Sequence, residues 1–299
     1  RQQLNGSKIG MPNSVLRKSL EKARRYFDSG KFLHSTQIYH RLINEFPNFV
    51  DAYIELAFIY TKLGKENYAE KLLRKAYEIE PRNEEVLFML GNICLKSKRF
   101  DEAIKFYTPI ANLDYPVVHY NLGLAYYYRG DFLEAEAEFK KVLKLDPEFP
   151  KVFETLGEIL IKRGAYEEAV EYLQRGIKKE PYNHMLYYLL AISHWNLRNL
   201  TEAKSAIETA IDLEPNKAIL WETCGELLLD LGEVDEAEKY FKRAIGLDKN
   251  LVDSFINLGL IYTYRGKKEE ANRFFSEALR IDPNAEAKIE EKLNLLRND

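Results

Sequence analysis

Alanine recurs at Ala69, Ala103, Ala135, Ala169, Ala203, Ala237 and Ala271, and every interval but one is 34 residues. The exception, Ala103 to Ala135, is 32. Ser35 holds the slot one period upstream, and Pro47, Pro81, Pro147, Pro181, Pro215 and Pro283 keep the same beat. A fixed period of this length describes a row of like supersecondary units, each too small to bury its apolar face alone and completed only by its neighbours. Copies begin near residues 16, 50, 84, 116, 150, 184, 218 and 252, eight in all.

Each copy reads as two helices. In the copy at 218–251, Trp221, Cys224, Gly225 and Leu228 fall at i, i+3, i+4 and i+7, one apolar helical face. Gly232 ends that helix, because a terminal residue at positive φ is cheapest as glycine. Ala237, Phe241 and Ala244 mark the buried face of a second helix. In most copies a proline then blocks continuation; here Asp248 and Asn250 supply the turn chemistry instead.

The eighth position of the copies is always small: Ala23, Ala57, Gly91, Gly123, Gly157, Ala191, Gly225 and Gly259. The twentieth is small too, and the twenty-fourth is bulky: Tyr39, Leu73, Tyr107, Phe139, Leu173, Ile207, Phe241 and Phe275. Small against large in register predicts two helix axes in close approach, where an inserted leucine costs roughly 1–3 kcal/mol by overpacking.

The run Gly259, Tyr262, Gly266, Ala271, Phe275, Ala278, Pro283 resembles the signature of the tetratricopeptide repeat (TPR) family, and the resemblance covers about residues 16–285. It implies an all-α fold, a right-handed α-α superhelical solenoid of helix-turn-helix repeats with first helices lining a concave groove. On this reading residues 1–13 are a flexible lead-in and residues 14–285 the eight repeats. Residues 286–299 form a C-terminal capping helix, with Ile289, Leu293 and Leu296 inside and Glu290, Glu291 and Lys292 outside. The short third copy carries Pro109 in its second helix, which predicts a broken helix and a discontinuity between copies three and four.

Composition removes several function classes. Lys plus Arg is 44 and Asp plus Glu 47, a net charge of −3, without the basic excess of a phosphate-neutralising nucleic-acid binder. No apolar run is long enough to span a bilayer. Cys94 and Cys224 are too few for a disulfide framework, which favours a cytoplasmic, reducing compartment. Arg1, with the first methionine at Met11, reads as the mark of a processed or excised piece, which keeps a periplasmic or membrane-anchored placement open.

None of the phosphate-loop, dinucleotide, zinc-protease, redox or nucleophile-elbow motifs occurs, so no enzyme and no cofactor or metal is expected. His34, His40, His119, His184 and His194 lack metal-ligand spacing, and His194, in a slot usually held by tyrosine, reads as a satisfied core histidine. The sequons at Asn5 and Asn199 are near chance.

In the TPR family, positions 2, 5, 9 and 12–13 of each first helix face the ligand. Here they include Phe88 and Asn92 in copy three, and Tyr120, Asn121, Tyr127 and Tyr128 in copy four. Copy five gives Lys151, Glu154 and Glu158, copy six Tyr188 and Trp195, and copy seven Glu222, Glu226 and Asp230. Aromatic anchors alternate with acidic groups, which suits a peptide carrying aromatic or apolar and basic residues. Glu222, Glu226 and Asp230 have no evident basic partner on their face and read as a seat for Lys or Arg.

The carboxylate clamp of some family co-chaperones is matched only by Asn92, Asn121 and Lys151, with Phe88 and Thr155 where two cations belong. Charge-assisted bonds contribute roughly 1.5–3 kcal/mol each, so two losses remove about two to four decades of affinity, and the clamp is rejected. The expected function is a non-enzymatic scaffold binding a protein or peptide, with self-association as a further habit of the family. The alternatives are a recruitment or regulatory region of a larger enzyme and a bacterial envelope assembly factor in pilus or outer-membrane biogenesis.

Overall fold

The structure is a computed structural model that describes residues 14–298. The expected lead-in at 1–13, the sequon at Asn5 and the side chain of Leu296 lie outside the described residues. The described chain is all-α and divides into two compact units, the first ending at Phe149 and the second beginning at Pro150.

Unit 1 holds four helix pairs: α1 (Ser14–Asp28) with α2 (Phe32–Glu45), α3 (Val50–Lys62) with α4 (Glu66–Ile79), α5 (Glu84–Lys96) with α6 (Phe100–Tyr107), and α7 (Pro116–Arg129) with α8 (Phe132–Leu145). Unit 2 holds α9 (Val152–Lys162) with α10 (Tyr166–Lys179), α11 (His184–Asn196) with α12 (Leu200–Leu213), α13 (Ala218–Asp230) with α14 (Val234–Leu247), and α15 (Val252–Tyr264) with α16 (Lys268–Ile281). A seventeenth helix, α17 (Ala285–Asn298), closes it. Each unit is a segment of helical solenoid.

Pairing rests on the small-against-large register. A Cβ added at Gly91 would stand 2.5 Å from the Tyr107 ring, at Gly225 2.8 Å from Phe241, and at Gly259 2.4 Å from Phe275. Real carbon contacts do not come that close, so the eighth position is set by the ring opposite it and not by helix propensity. Ser35, which stands for alanine in the first copy, is fully buried and donates its hydroxyl hydrogen to the Ala23 carbonyl at 2.8 Å. The substitution therefore adds no unsatisfied polar group to the core.

The turn between first and second helix needs one residue at positive φ. Gly64 sits at φ 71°, and the Lys65 amide then reaches back to the Tyr60 carbonyl at 2.8 Å, closing the helix end. In copies three and six the slot holds Lys98 at φ 59° and Arg198 at φ 62°, side-chain-bearing residues in the left-handed region. Turns between copies use side-chain caps where one is available: the Asn83 carboxamide oxygen accepts from the Val86 amide at 3.2 Å, and that of Asn183 from the Met185 amide at 3.0 Å.

The short third copy breaks its second helix as its proline requires. α6 stops at Tyr107 after eight residues, and Thr108–Leu113 form a 3₁₀ turn with Pro109 near its start. Packing nonetheless runs through the junction: Phe106, Tyr107, Ile110, Val118 and Leu122 belong to one buried cluster with Val86, Leu90 and Cys94. Ile110 is itself buried in this cluster, so the core continues across the two-residue deletion.

At the far end α17 buries Ile289 and half-buries Leu293. Lys288 reaches Asp253 at 2.6 Å and Lys292 reaches the Asn257 carboxamide oxygen at 3.0 Å, each across 35 residues. Lys292 is thus an inward contact, not the outer residue expected. α17 stands where a first helix would stand.

Candidate peptide-binding face

The residues expected to seat a ligand are mostly engaged with one another. In unit 1 the Asn92 carboxamide oxygen accepts from the Tyr107 hydroxyl at 2.7 Å and from the Asn121 amide at 2.8 Å. Phe88 lies half-buried with its ring 6.2 Å from that of Tyr107. Tyr120 is held between Phe139 at 5.9 Å and Phe149 at 5.0 Å. Tyr127 meets Phe132, the first residue of α8, at 5.8 Å, and Tyr128 stacks on Phe100, the first residue of α6, at 5.7 Å. These last two rings pack at the edge formed by the first-to-second turns.

In unit 2 Lys151 caps the start of α9 and is exposed. Glu154 accepts from the Asn183 amide at 3.2 Å, and Glu158 lies half-buried one turn further along α9. Tyr188 is half-buried on α11, and burial pushes its phenol above the usual range against an opposing hydrogen bond with Thr223. The Trp195 indole N–H donates to Asp230 Oδ2 at 2.8 Å.

The acidic run of copy seven is not the open seat its sequence suggests. Asp230 has a basic partner: Arg198 Nη1 lies 3.0 Å from the same Oδ2. Arg198 is brought there by its left-handed turn, which no helical-face pattern displays. Glu222 is only 8% exposed, and its Oε1 accepts from both the amide and the hydroxyl of Ser254, at 3.0 and 2.8 Å. Glu226 is half-buried and receives one long bond, 3.4 Å from the Asn257 amide. Burial pushes both carboxyls up, and the charge of Glu222 pushes Glu226 further.

One rule explains these pairings. Polar positions on the first helices sit next to their equivalents one copy away, so they meet at separations of 29–35 residues. Asn92–Asn121, Glu154–Asn183, Trp195–Asp230, Glu222–Ser254 and Glu226–Asn257 are rungs between consecutive first helices or their caps. The signal was present in the sequence as complementary polar residues about one period apart. Asn257 falls on the groove-facing positions of copy eight, whereas Ser254 and Arg198 show no site character when each helix face is read by itself.

His194 departs from its expectation as a satisfied core histidine. Its Nδ1 is buried without a hydrogen-bond partner, and burial pushes the ring pKa down, so the imidazole is held neutral. The thiols of Cys94 and Cys224 are buried and pushed up to about 11 and about 12 by desolvation, which keeps them protonated and unreactive. The Cys94 sulfur and carboxylate oxygens of Glu70 and Glu102 lie within 4.8 Å of one another. Arg99 grips Glu70 at 2.7 and 2.9 Å, and Arg74 bridges Glu70 and Glu102 at 2.7 and 2.6 Å. These contacts tie both carboxylates into an ion-pair network between copies.

No helix of the described residues is long and apolar enough to cross a membrane. Family models described as tetratricopeptide repeat match residues 50–83, 67–119, 120–184, 188–251 and 252–285. A search of curated proteins found no match. Among solved structures, MamA aligns at 26% identity over 55% of this chain and 95% of its own, with a TM-score of 0.52. MamA from Desulfovibrio magneticus RS-1 aligns at 24% over 56% and 96%, TM-score 0.54. YrrB, described as a TPR protein with an unusual peptide-binding site, aligns at 23% over 64% and 97%, TM-score 0.52. Such a backbone, shared by 430 matching chains, identifies the architecture and leaves the partner to the side chains. The 34-residue beat, the glycine-against-ring register and the matched repeats lead to one conclusion: this chain belongs to the tetratricopeptide repeat family.

Proposed function

We propose that the protein is a non-enzymatic interaction scaffold that holds a peptide or helix bearing a basic and an aromatic or apolar residue against the first helices of unit 2. The observation that carries this reading is Glu226. It is a half-buried carboxylate destabilised by desolvation and by Glu222, and the charge of Lys292 and one 3.4 Å bond from Asn257 offset this only in part. Tyr188 lies close enough to feel the charge of both glutamates. A Lys or Arg inserted from a partner adds a second counter-charge to that of Lys292, with the Tyr188 ring as its apolar neighbour. Lys151, Glu154 and Glu158 extend the face in copy five, and Trp195 in copy six. In unit 1, Phe88, Asn92, Tyr120 and Asn121 form a second, neutral stretch suited to apolar side chains.

Selection of peptides from a random displayed library tests the reading. Enriched sequences carry Lys or Arg near an aromatic residue, their affinity falls as salt rises, and Glu226→Lys or Tyr188→Ala removes binding while helicity by circular dichroism is unchanged. Enrichment of acidic peptides, or equal binding by the folded variants, overturns it.

A further inference from the structure

The turns joining first to second helices line up along one edge of unit 1. The Phe27 ring lies 5.7 Å from Phe58 across copies one and two, and Phe100 stacks on Tyr128 across copies three and four. At the start of this edge two neighbouring tips read Lys31-Phe32-Leu33 and Lys62-Leu63-Gly64-Lys65. Leu33 is 67% exposed, Leu63 42% and Phe32 37%. Lys31, Lys62 and Lys65 are exposed, and none has a carboxylate partner among the described residues. The nearest acids in sequence are Asp28, exposed on the same turn as Lys31, and Glu66, already held by Lys96. The tips have a firm base: Phe32 packs at 5.4 Å on Phe27, and the Lys62 ammonium lies 5.5 Å above the Phe58 ring. The equivalent turns of unit 2 expose a single large apolar side chain, Tyr264, among the described residues.

We infer that this edge is a peripheral docking surface for an anionic lipid bilayer. The turns are the outermost points of antiparallel helix pairs, so their side chains project outward with no wall around them. Apolar tips that dip into the headgroup–acyl boundary, flanked by lysines whose stems lie along it and whose ammonium groups meet lipid phosphates, are what interfacial binding requires. An acidic peptide is a poorer fit. The patch offers three compact point charges and no guanidinium fork for bidentate capture of carboxylates. It also exposes three large apolar side chains that an acidic strand would leave in water. The inference is independent of the peptide-binding face, which lies on other residues.

The test is co-sedimentation of the full chain with vesicles of phosphatidylcholine alone or mixed with phosphatidylglycerol. Binding is expected to the mixed vesicles only and to weaken with salt. Lys31→Gln with Lys65→Gln should reduce it about 25-fold, taking roughly a five-fold loss per lysine. Leu33→Ser with Leu63→Ser should also reduce it, while Tyr264→Ser in unit 2 leaves it unchanged. A Leu33→Trp variant should shift its emission to the blue on mixed vesicles as the indole leaves water. Circular dichroism establishes that each variant is folded. Absence of binding to mixed vesicles overturns the inference, as does binding that ignores the leucine substitutions. Capture of poly-glutamate that is lost by the same lysine variants, with no vesicle binding, assigns the edge to an acidic protein instead and likewise overturns it.

Discussion

The two units share one frame and use their polar side chains differently. In unit 1 the rungs between first helices are of both kinds, charged from Arg24 to Glu55 and neutral from Asn92 to Asn121, and further charges sit among the second helices and turns, where Arg74 and Arg99 clamp Glu70 and Glu102. In unit 2 the first-helix layer carries Glu222, buried, and Glu226, half-buried, both bonded to neutral donors, Ser254 and Asn257. Its second-helix side has a charge cluster as well, in which Arg265, Lys242 and Tyr262 converge on Glu238. Partial burial alone would raise the Glu238 carboxyl, but these hydrogen bonds outweigh it and hold it at about 2. Positions tied down by ring-against-glycine contact cannot diverge between copies, whereas polar positions can, provided each still finds a partner one copy away. Divergence at those positions is what makes a rung an ion pair at Arg24–Glu55, a neutral bond at Asn92–Asn121 and a buried carboxylate at Glu222–Ser254 on the same backbone.

The strongest way to break the comparison is to empty one core at a time. Phe139→Ala in unit 1 and Phe241→Ala in unit 2 each delete a fully buried ring, and each should cost about 3–5 kcal/mol in denaturant unfolding. Amide exchange should show lost protection confined to the helices of the mutated unit; loss spread evenly over both would mean that the units do not unfold separately. Next in size, Gly91→Leu forces a side chain into the Tyr107 ring and should cost roughly 1–3 kcal/mol or more. Gly246→Ala, with open space around it in α14, should instead stabilise by about 0.5–1 kcal/mol. If the two glycines respond alike, close approach is not what keeps the eighth position small.

A smaller effect is expected at the left-handed turns. Lys98→Gly should stabilise unit 1 by about 0.5–1 kcal/mol, because the native φ of 59° strains a side-chain-bearing residue. Arg198→Gly in unit 2 should gain less, since it also gives up the bond to Asp230. The smallest is Glu226→Gln. A carboxyl raised by burial costs stability when charged: the cost is absent below about pH 4.3, the ordinary glutamate value, and complete above the folded pKa. The variant should therefore melt higher than wild type at pH 7 and alike at acid pH. A difference that persists unchanged at low pH would remove desolvation as its cause.

Much of the fold is legible in the residues alone, and the candidate site much less so. The break at Pro109 follows from a missing amide and a steric clash, both local properties of proline. The small eighth and bulky twenty-fourth positions lie sixteen residues apart within one copy, and repetition displays their coupling eight times over. Helical angle puts Tyr127 and Tyr128 on the ligand face but gives no sign that their rings pack on Phe132 and Phe100, at the starts of neighbouring helices. His194 shows the same limit, since its unpaired Nδ1 depends on which atoms of neighbouring helices come near.

The sequence by itself determined the period, the helix pairs, the turns and the packing register, because each depends on backbone preference or on contacts within one repeat. Only the tertiary structure decided which polar side chains are used up as rungs. That depends on the offset between consecutive first helices, which brings Glu222 to Ser254 and Arg198 to Asp230 but leaves Glu226 with one long bond. The same charge is a structural tie in one place and an under-compensated carboxylate in another, according to what lies within about 3 Å of it.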